Sequence, residues 1–273
     1  MRRLLTAFGL LASIAAAQAQ NTRIPINVPF TKLFALQQQP NAFSFIGNPA
    51  ALARQQHFAA GVYSERRFLL SELSQHQVAL AMPSRFGNFG LRGDYFGNTW
   101  YNEAAVGLTY ARTLSAGIDV GVKFNYYGVN VPSYGHAGAI NAEVGVIVHF
   151  TEQMRAGIHV YNPSSVELGK NGEEQLPSIY AMSIGYDLSE QLFLTASIEK
   201  VQGKPASVLA GLQYKFNQRL VANVGLASAT STYTMGLGVQ LKSFQLTTVA
   251  SLHPQLGLTP GLMLLFGKTR SHD

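Results

Sequence analysis

Residues 117–127, Gly-Ile-Asp-Val-Gly-Val-Lys-Phe-Asn-Tyr-Tyr, alternate without interruption. Ile118, Val120, Val122, Phe124 and Tyr126 share one face; Gly117, Asp119, Gly121, Lys123, Asn125 and Tyr127 share the other. Successive side chains of a β-strand leave opposite faces, so this is strand periodicity. The second face decides the fold. A soluble sandwich turns its apolar face inward and covers the other with charge. Here the second face holds glycine, asparagine and single charges, which suits a crowded or watery lumen whose apolar exterior meets lipid.

The pattern recurs. Ile140, Ala142, Val144, Val146, Val148 and Phe150 oppose Asn141, Glu143, Gly145, Ile147 and His149. Val208, Ala210, Leu212, Tyr214 and Phe216 oppose Ser207, Gly211, Gln213 and Lys215, and Tyr233 to Leu241 behaves alike. Several apolar faces end in an aromatic residue (Tyr110, Phe150, Tyr186, Phe216, Phe266), as the interfacial girdles of a membrane barrel do. Strands are predicted at roughly 57–64, 75–82, 87–96, 102–111, 117–128, 138–150 and 154–161. The rest fall at roughly 177–187, 190–201, 206–216, 219–228, 232–242, 244–253 and 257–266. About fourteen strands make an even number, as a bacterial single-chain barrel requires. Tight links follow even-numbered strands (Pro83 to Phe86, Thr113 to Ala116, Thr151 to Gln153), and longer ones, 65–74, 129–137 and 162–176, follow odd-numbered strands. The short rim, with the N-terminus, is expected to face the periplasm.

The predicted fold class is therefore all-β: a closed antiparallel transmembrane β-barrel of about fourteen strands with an N-terminal plug or hatch. Composition agrees. Charged residues are 12% of the chain and glycines number 26, with no apolar run after the first twenty residues long enough for a membrane helix. An exported chain of that kind has one membrane solution left, a closed barrel. Export is read from residues 1–19: Arg2 and Arg3, an apolar stretch from Leu4, and the small-residue site Ala17-Gln18-Ala19, with cleavage expected before Gln20. The chain has no cysteine and so neither disulfides nor thiolate metal ligands. Its formal charge of +6 includes Arg2 and Arg3, and without a basic stripe it gives no reason to expect a nucleic-acid partner.

Residues 20–56 do not alternate and carry Pro25, Pro29, Pro40 and Pro49, with a run of three glutamines at 37–39. They are read as the plug or hatch, residues 57–267 as the barrel and 268–273 as a C-terminal tail. Pro49 near the start of Ala50-Ala51-Leu52-Ala53-Arg54 suits one helical turn. If the segment fills the lumen, Arg54 needs an acidic neighbour on an early strand, Asp94 or Asp119.

At Asn48-Pro49-Ala50-Ala51-Leu52-Ala53, just before the first strand, the chain resembles the fatty-acid-transporter (FadL) superfamily, and within it the PorV/PorQ-like branch associated with type IX secretion. The PorP/SprF-like type IX family has a similar Asn-Pro-Ala opening, and both readings stand. The glycine-rich stretch usual upstream of the motif is replaced here by Leu33-Phe34-Ala35-Leu36 and glutamines, and the loops are short. The resemblance implies a non-enzymatic outer-membrane component of a secretion complex, with outer-membrane lipid and another outer-membrane or secretion-system protein as partners. The alternative it implies is a FadL-like uptake channel for a hydrophobic or small polar solute.

The residues themselves give no catalytic constellation: there is no Gly-x-Ser-x-Gly elbow and no zincin spacing among the 7 histidines. His149 and His159 face inward on adjacent strands, and no cofactor is expected. The inward ionisable residues are Arg92, Asp94, Asp119, Lys123, Glu143, Arg155, Glu199, Lys215 and Lys242. Both signs are present, and Lys123–Glu143 and Glu143–Arg155 are expected pairs in a polar network that holds the plug or lines a conduit.

This reading predicts a protein that fractionates with the outer membrane and is heat-modifiable, running at a different position on a cold detergent gel than after boiling. A periplasmic protein needing no detergent would overturn it.

Overall fold

The computed structural model describes residues 26, 28–132, 135–169 and 174–267; the expected signal peptide and C-terminal tail lie outside them. Fourteen strands close into one antiparallel barrel. The first seven are β1 (Ala59–Arg66), β2 (Ser74–Met82), β3 (Asn88–Gly97), β4 (Asn102–Ser115), β5 (Ile118–Val131), β6 (Gly135–His149) and β7 (Met154–Tyr161). Two short strands, β8 (Glu167–Leu168) and β9 (Glu174–Gln175), pair with each other as a separate two-stranded sheet. The wall resumes with β10 (Ile179–Asp187), β11 (Leu192–Val201), β12 (Ala206–Lys215), β13 (Leu220–Ala227), β14 (Thr232–Leu241), β15 (Phe244–His253) and β16 (Gly257–Gly267).

Neighbours in sequence are neighbours in space, and β1 closes on β16 from Ala59↔Gly267 to Glu65↔Gly261. The residue after that last pair on the β16 side is Pro260, which has no N–H to extend the ladder. No helix among the described residues is long and apolar enough to cross a membrane.

Burial is inverted relative to a soluble protein. Val106, Phe124, Ile140, Met182 and Met235 are exposed, while Lys123, Glu143 and Asp119 are almost wholly buried. In β5 each of the residues expected inside, from Asp119 to Tyr127, is buried, and the face of Ile118, Val122, Phe124 and Tyr126 is open. Aromatic side chains gather where the apolar band ends. At the short-turn rim Phe58, Phe244 and Phe266 form a cluster with ring centres 5.1 and 6.2 Å apart, and Phe89 lies 5.4 Å from Tyr110. Toward the other rim Tyr95, Tyr126, Tyr180 and Tyr233 are exposed.

Two links are shorter than the sequence suggests. The span 129–137 is mostly ladder, because Val129↔Ala137, Asn130↔His136 and Val131↔Gly135 continue the β5–β6 pairing. Thr113 to Ser115 belong to β4, with a register shift between Thr113 and Ser115 in place of a loop. A bulge keeps both flanking segments paired while re-aiming the chain into the turn. The first strand begins at Ala59, two residues later than its predicted start.

Residues 28–56 lie inside the wall. They form two short helices, α1 (Pro29–Leu33) and α2 (Ser44–Gly47), and a 3-10 helix, Pro49–Arg54, where one turn was expected. Val28, Phe30, Leu33, Leu36, Phe43, Phe45, Ile46 and Leu52 form one buried cluster with inward wall residues such as Ala79, Phe193, Leu209 and Met263. The wall is notched with glycine to admit them. A Cβ at Gly121 would lie 2.4 Å from the Pro49 carbonyl carbon, and one at Gly145 would lie 2.0 Å from Asn48 Oδ1. At Gly61 it would meet the Phe43 ring at 2.5 Å, and at Gly225 Leu33 Cδ1 at 2.4 Å. Gly90, Gly185, Gly211 and Gly236 face Leu52, Leu36, Leu33 and Phe30 in the same way. The inward glycines of the alternating pattern are thus the seat of the N-terminal segment.

Gly121→Ala is therefore expected to lower stability by about 1–3 kcal/mol, since neither backbone can yield easily. Gly267→Ala, whose Cβ would meet only Ala59 Cβ at an ordinary 3.6 Å, should be close to neutral. Urea titration of the folded gel band in detergent measures both, and equal effects would refute the glycine seat.

Candidate functional site

The interior is layered along the barrel axis. Nearest the short-turn rim, the end of the 3-10 helix is fastened to the wall. Arg54 Nε donates to Asp119 Oδ2 at 2.7 Å and its Nη2 to the Ala116 carbonyl at 2.7 Å. Thr113 donates to the other oxygen of Asp119 at 2.7 Å, and His149 Nε2 lies 2.6 Å from Oδ2. Arg54 thus has one of the two neighbours expected of it, Asp119. Asp94 lies elsewhere, next to Arg92.

Above this, side-chain amides do the fastening. Asn88 Nδ2 donates to the carbonyls of Leu52, Ala53 and Gln55, at 2.8, 3.0 and 2.8 Å, gathering the free carbonyls at the helix end. Asn48 accepts from Ala50 N at 3.0 Å, capping the helix start. Its Nδ2 reaches the wall carbonyl of Ile158 at 3.2 Å. Pro49 at the first helical position and buried Ala50 and Leu52 complete the Asn-Pro-Ala element, which faces β5 and β6 through Gly121 and Gly145. Arg155 holds the next stretch: its Nε donates to the Leu36 carbonyl at 2.8 Å, and its guanidinium pairs with Asp187 and lies 5.7 Å from the Phe193 ring centre.

At mid-height lies a belt of buried charge. Lys123 Nζ is 2.8 Å from Glu143 Oε2, and both side chains are buried. Glu143 also receives Asn125 Nδ2 at 2.8 Å and meets His159 Nε2 at 2.9 Å. Arg92 pairs with Asp94 two residues along β3, and Asp94 accepts from Gln77 at 2.6 Å. Gln77 in turn accepts from Thr31 of α1 at 3.0 Å. Asn125 donates to Asn141, and Asn141 to the Tyr161 hydroxyl, each at 3.0 Å. Such charges are tolerable inside only because each has partners.

The expected Glu143–Arg155 pair does not form. Glu143 stands opposite Tyr161 in the ladder and Arg155 opposite His149, so the two are most of a strand apart. His159 takes the place at Glu143 and Asp187 the place at Arg155. Glu199 meets Lys32 of α1 at 3.9 Å. Lys215 is half-buried near the short-turn rim, and Lys242 is exposed in the turn before β15. Lys32 and Asn88 were not singled out by sequence. Lys32 sits in a segment without periodicity, whereas Asn88 and Asp187 fall on inward positions that strict alternation marks.

Above the belt the lumen becomes apolar. Ile26, Tyr127, Val129, Ala139, Leu168 and Leu176 form a second buried cluster. Val166, Leu168 and Leu176 of the β7–β10 link pack into it, organised by buried Asn162 at φ 49°, whose Nδ2 donates to the Leu176 carbonyl at 2.6 Å. Two narrow cavities lie between the N-terminal segment and the inner wall. One is lined by Ile26, Ile46, Arg92, Tyr127, Glu143, Tyr161 and Ile179, the other by Leu33, Leu36, Ala181, Ser197 and Leu209. Lys32, His159 and Glu199 line both.

A closed antiparallel barrel with an apolar exterior and a polar interior is the architecture of an outer-membrane β-barrel. The sequence matches no protein-family model and no curated protein. Solved structures do match. The toluene transporter TbuX of Ralstonia pickettii is 13% identical over 84% of this chain and 94% of its own, with a TM-score of 0.59. The monoaromatic hydrocarbon channel CymD is 11% identical over 91% and 99%, also at 0.59. A Pseudomonas aeruginosa FadL homologue is 10% identical over 86% and 96%, again at 0.59. The fold is the FadL-type outer-membrane barrel.

Removing one partner of the central pair should be costly. Lys123→Met leaves Glu143 buried and is expected to cost about 3–5 kcal/mol. Adding Glu143→Leu to it should recover part of that loss, measured by urea unfolding in detergent. A double variant whose loss equals the sum of the two single losses would show that the pair is not one unit.

Proposed function

We propose that this chain is a FadL-like passage for small hydrophobic or amphipathic solutes across the outer membrane, held closed here by residues 28–56 acting as a plug. The observation that carries the reading is the pair of cavities between plug and inner wall, strung together by Lys32, His159 and Glu199 and walled by both apolar and polar side chains. Few polar groups precisely placed in a mostly apolar concavity are the usual make-up of a small-molecule site. The fold likeness to hydrocarbon channels supports the reading by analogy.

The secretion-associated reading draws on the Asn48 to Ala53 element and on a partner protein at the wall or loops. In this structure Asn48, Ala50 and Leu52 are spent on the inner wall, which favours the passage.

Deleting residues 28–54 is expected to raise single-channel conductance in planar bilayers while the barrel stays heat-modifiable. A folded, inserted deletion protein with unchanged conductance would overturn the plug. Toluene or octanoate flux into proteoliposomes no faster than into protein-free vesicles would overturn the passage.

A further inference from the structure

Most charges inside the barrel are committed. Glu143 has Lys123, Asn125 and His159; Asp119 has Arg54, Thr113 and His149; Arg155 has Asp187 and the Leu36 carbonyl. Arg92 is joined to Asp94. One pair differs. Lys32 Nζ and Glu199 Oε2 stand 3.9 Å apart, beyond hydrogen-bond reach, with side chains 18% and 14% exposed. An ammonium has three donors and a carboxylate about four acceptor positions. That capacity opens into the junction of the two cavities, since both residues line both.

We propose, building on the passage reading, that Lys32 and Glu199 form a recognition site for carboxylates bearing a hydrogen-bond donor on the adjacent carbon, that is, 2-amino or 2-hydroxy acids with an apolar side chain. The carboxylate accepts from Lys32, and the neighbouring ammonium or hydroxyl donates to Glu199. The spacing suits this. A pair too far apart to bond directly is bridged by a head group whose own acceptor and donor are adjacent. The apolar part of the solute has Ile26, Ile46 and Ile179 on one side of the junction and Leu33, Leu36 and Leu209 on the other. A plain hydrocarbon leaves both charges unsatisfied, and a plain carboxylate leaves Glu199 facing a second anion. Charge opposition of this kind discriminates more strongly than apolar fit does.

The test is calorimetry on the detergent-solubilised mature protein with four probes: toluene, octanoate, 2-hydroxyoctanoate and 2-aminooctanoate. Wild type should bind 2-aminooctanoate at least tenfold more tightly than octanoate, with 2-hydroxyoctanoate between them. Glu199→Gln should erase the preference for the amino acid without weakening octanoate. Lys32→Met should weaken all three carboxylates and spare toluene. Because the pair also joins the plug to the wall, the exchange Lys32→Glu with Glu199→Lys is measured alongside. It keeps opposite charges at the junction and should retain 2-aminooctanoate binding. Equal affinity for octanoate and 2-aminooctanoate, or a preference that survives Glu199→Gln in a heat-modifiable protein, would overturn the site. Carboxylate binding with no response to either substitution, while toluene still binds and passes, would overturn this site and leave the passage standing. Absence of flux for every probe would overturn the passage itself.

Discussion

Inside a bilayer no water is available to a backbone N–H or C=O, so a sheet that crosses must close on itself. The β1–β16 ladder is where this chain meets that demand, and the rest of the structure follows from the closure. Fourteen strands in a ring fix a lumen wider than the eight-strand barrels that side chains alone can fill. The chain supplies filler from its own N-terminal segment. Where the ladder ends, at Pro260, the β1–β2 link folds against β16, with the Phe68 amide donating to Thr259 Oγ1 at 3.0 Å.

Wall and filler are fitted to each other by two different means. Glycine removes side chains from the wall where the segment's backbone or rings come closest, as at Gly121, Gly145 and Gly61. Polar side chains then reach across the remaining space and take backbone carbonyls: Asn88 three of them, Arg155 one, Asn48 two in the opposite direction. Each such bond contributes on the order of 1 kcal/mol net. The segment is therefore seated by the sum of many modest contacts, and parts of it can open at far less cost than unfolding the barrel.

The wall was legible because period two survives every strand. The sparse charge on the second face identified which side meets lipid, and strand number and faces follow from residues such as Val122 against Lys123. Links misled where ladder continued through residues that look like turn formers: Gly135-His136-Ala137 pairs with Val131 to Val129. The partners of inward charges were less legible. Alternation gives the face of a residue but not its height, and height depends on the stagger between strands. That stagger separates Glu143 from Arg155 and brings Lys123 to Glu143. The internal position of residues 28–56 was legible only by their failure to alternate. Their helices arise from tertiary seating, which no local period records, so Lys32 stayed invisible while Arg54, beside the Asn-Pro-Ala element, did not.

The tethers are unevenly distributed, and this bears on how such a segment could open. Asn48 to Gln55 is held by Asn88, by the Arg54–Asp119 pair and by Asn48 itself, all against β3 to β7. α1 instead rests on β12 to β14, where the mid-height inward residues are Gly211, Gly225, Gly236 and Asn223, and contact is through Phe30 and Leu33. Dispersion contacts resist separation but not sliding, whereas directional hydrogen bonds resist both. Among the described residues, two side-chain links join α1 to the wall: Thr31 to Gln77, and the loose Lys32 to Glu199. The Asn-Pro-Ala half of the segment is therefore fixed in direction as well as in depth, because its carbonyls and cap are satisfied by the wall. The half that carries Lys32 is held chiefly by apolar contact.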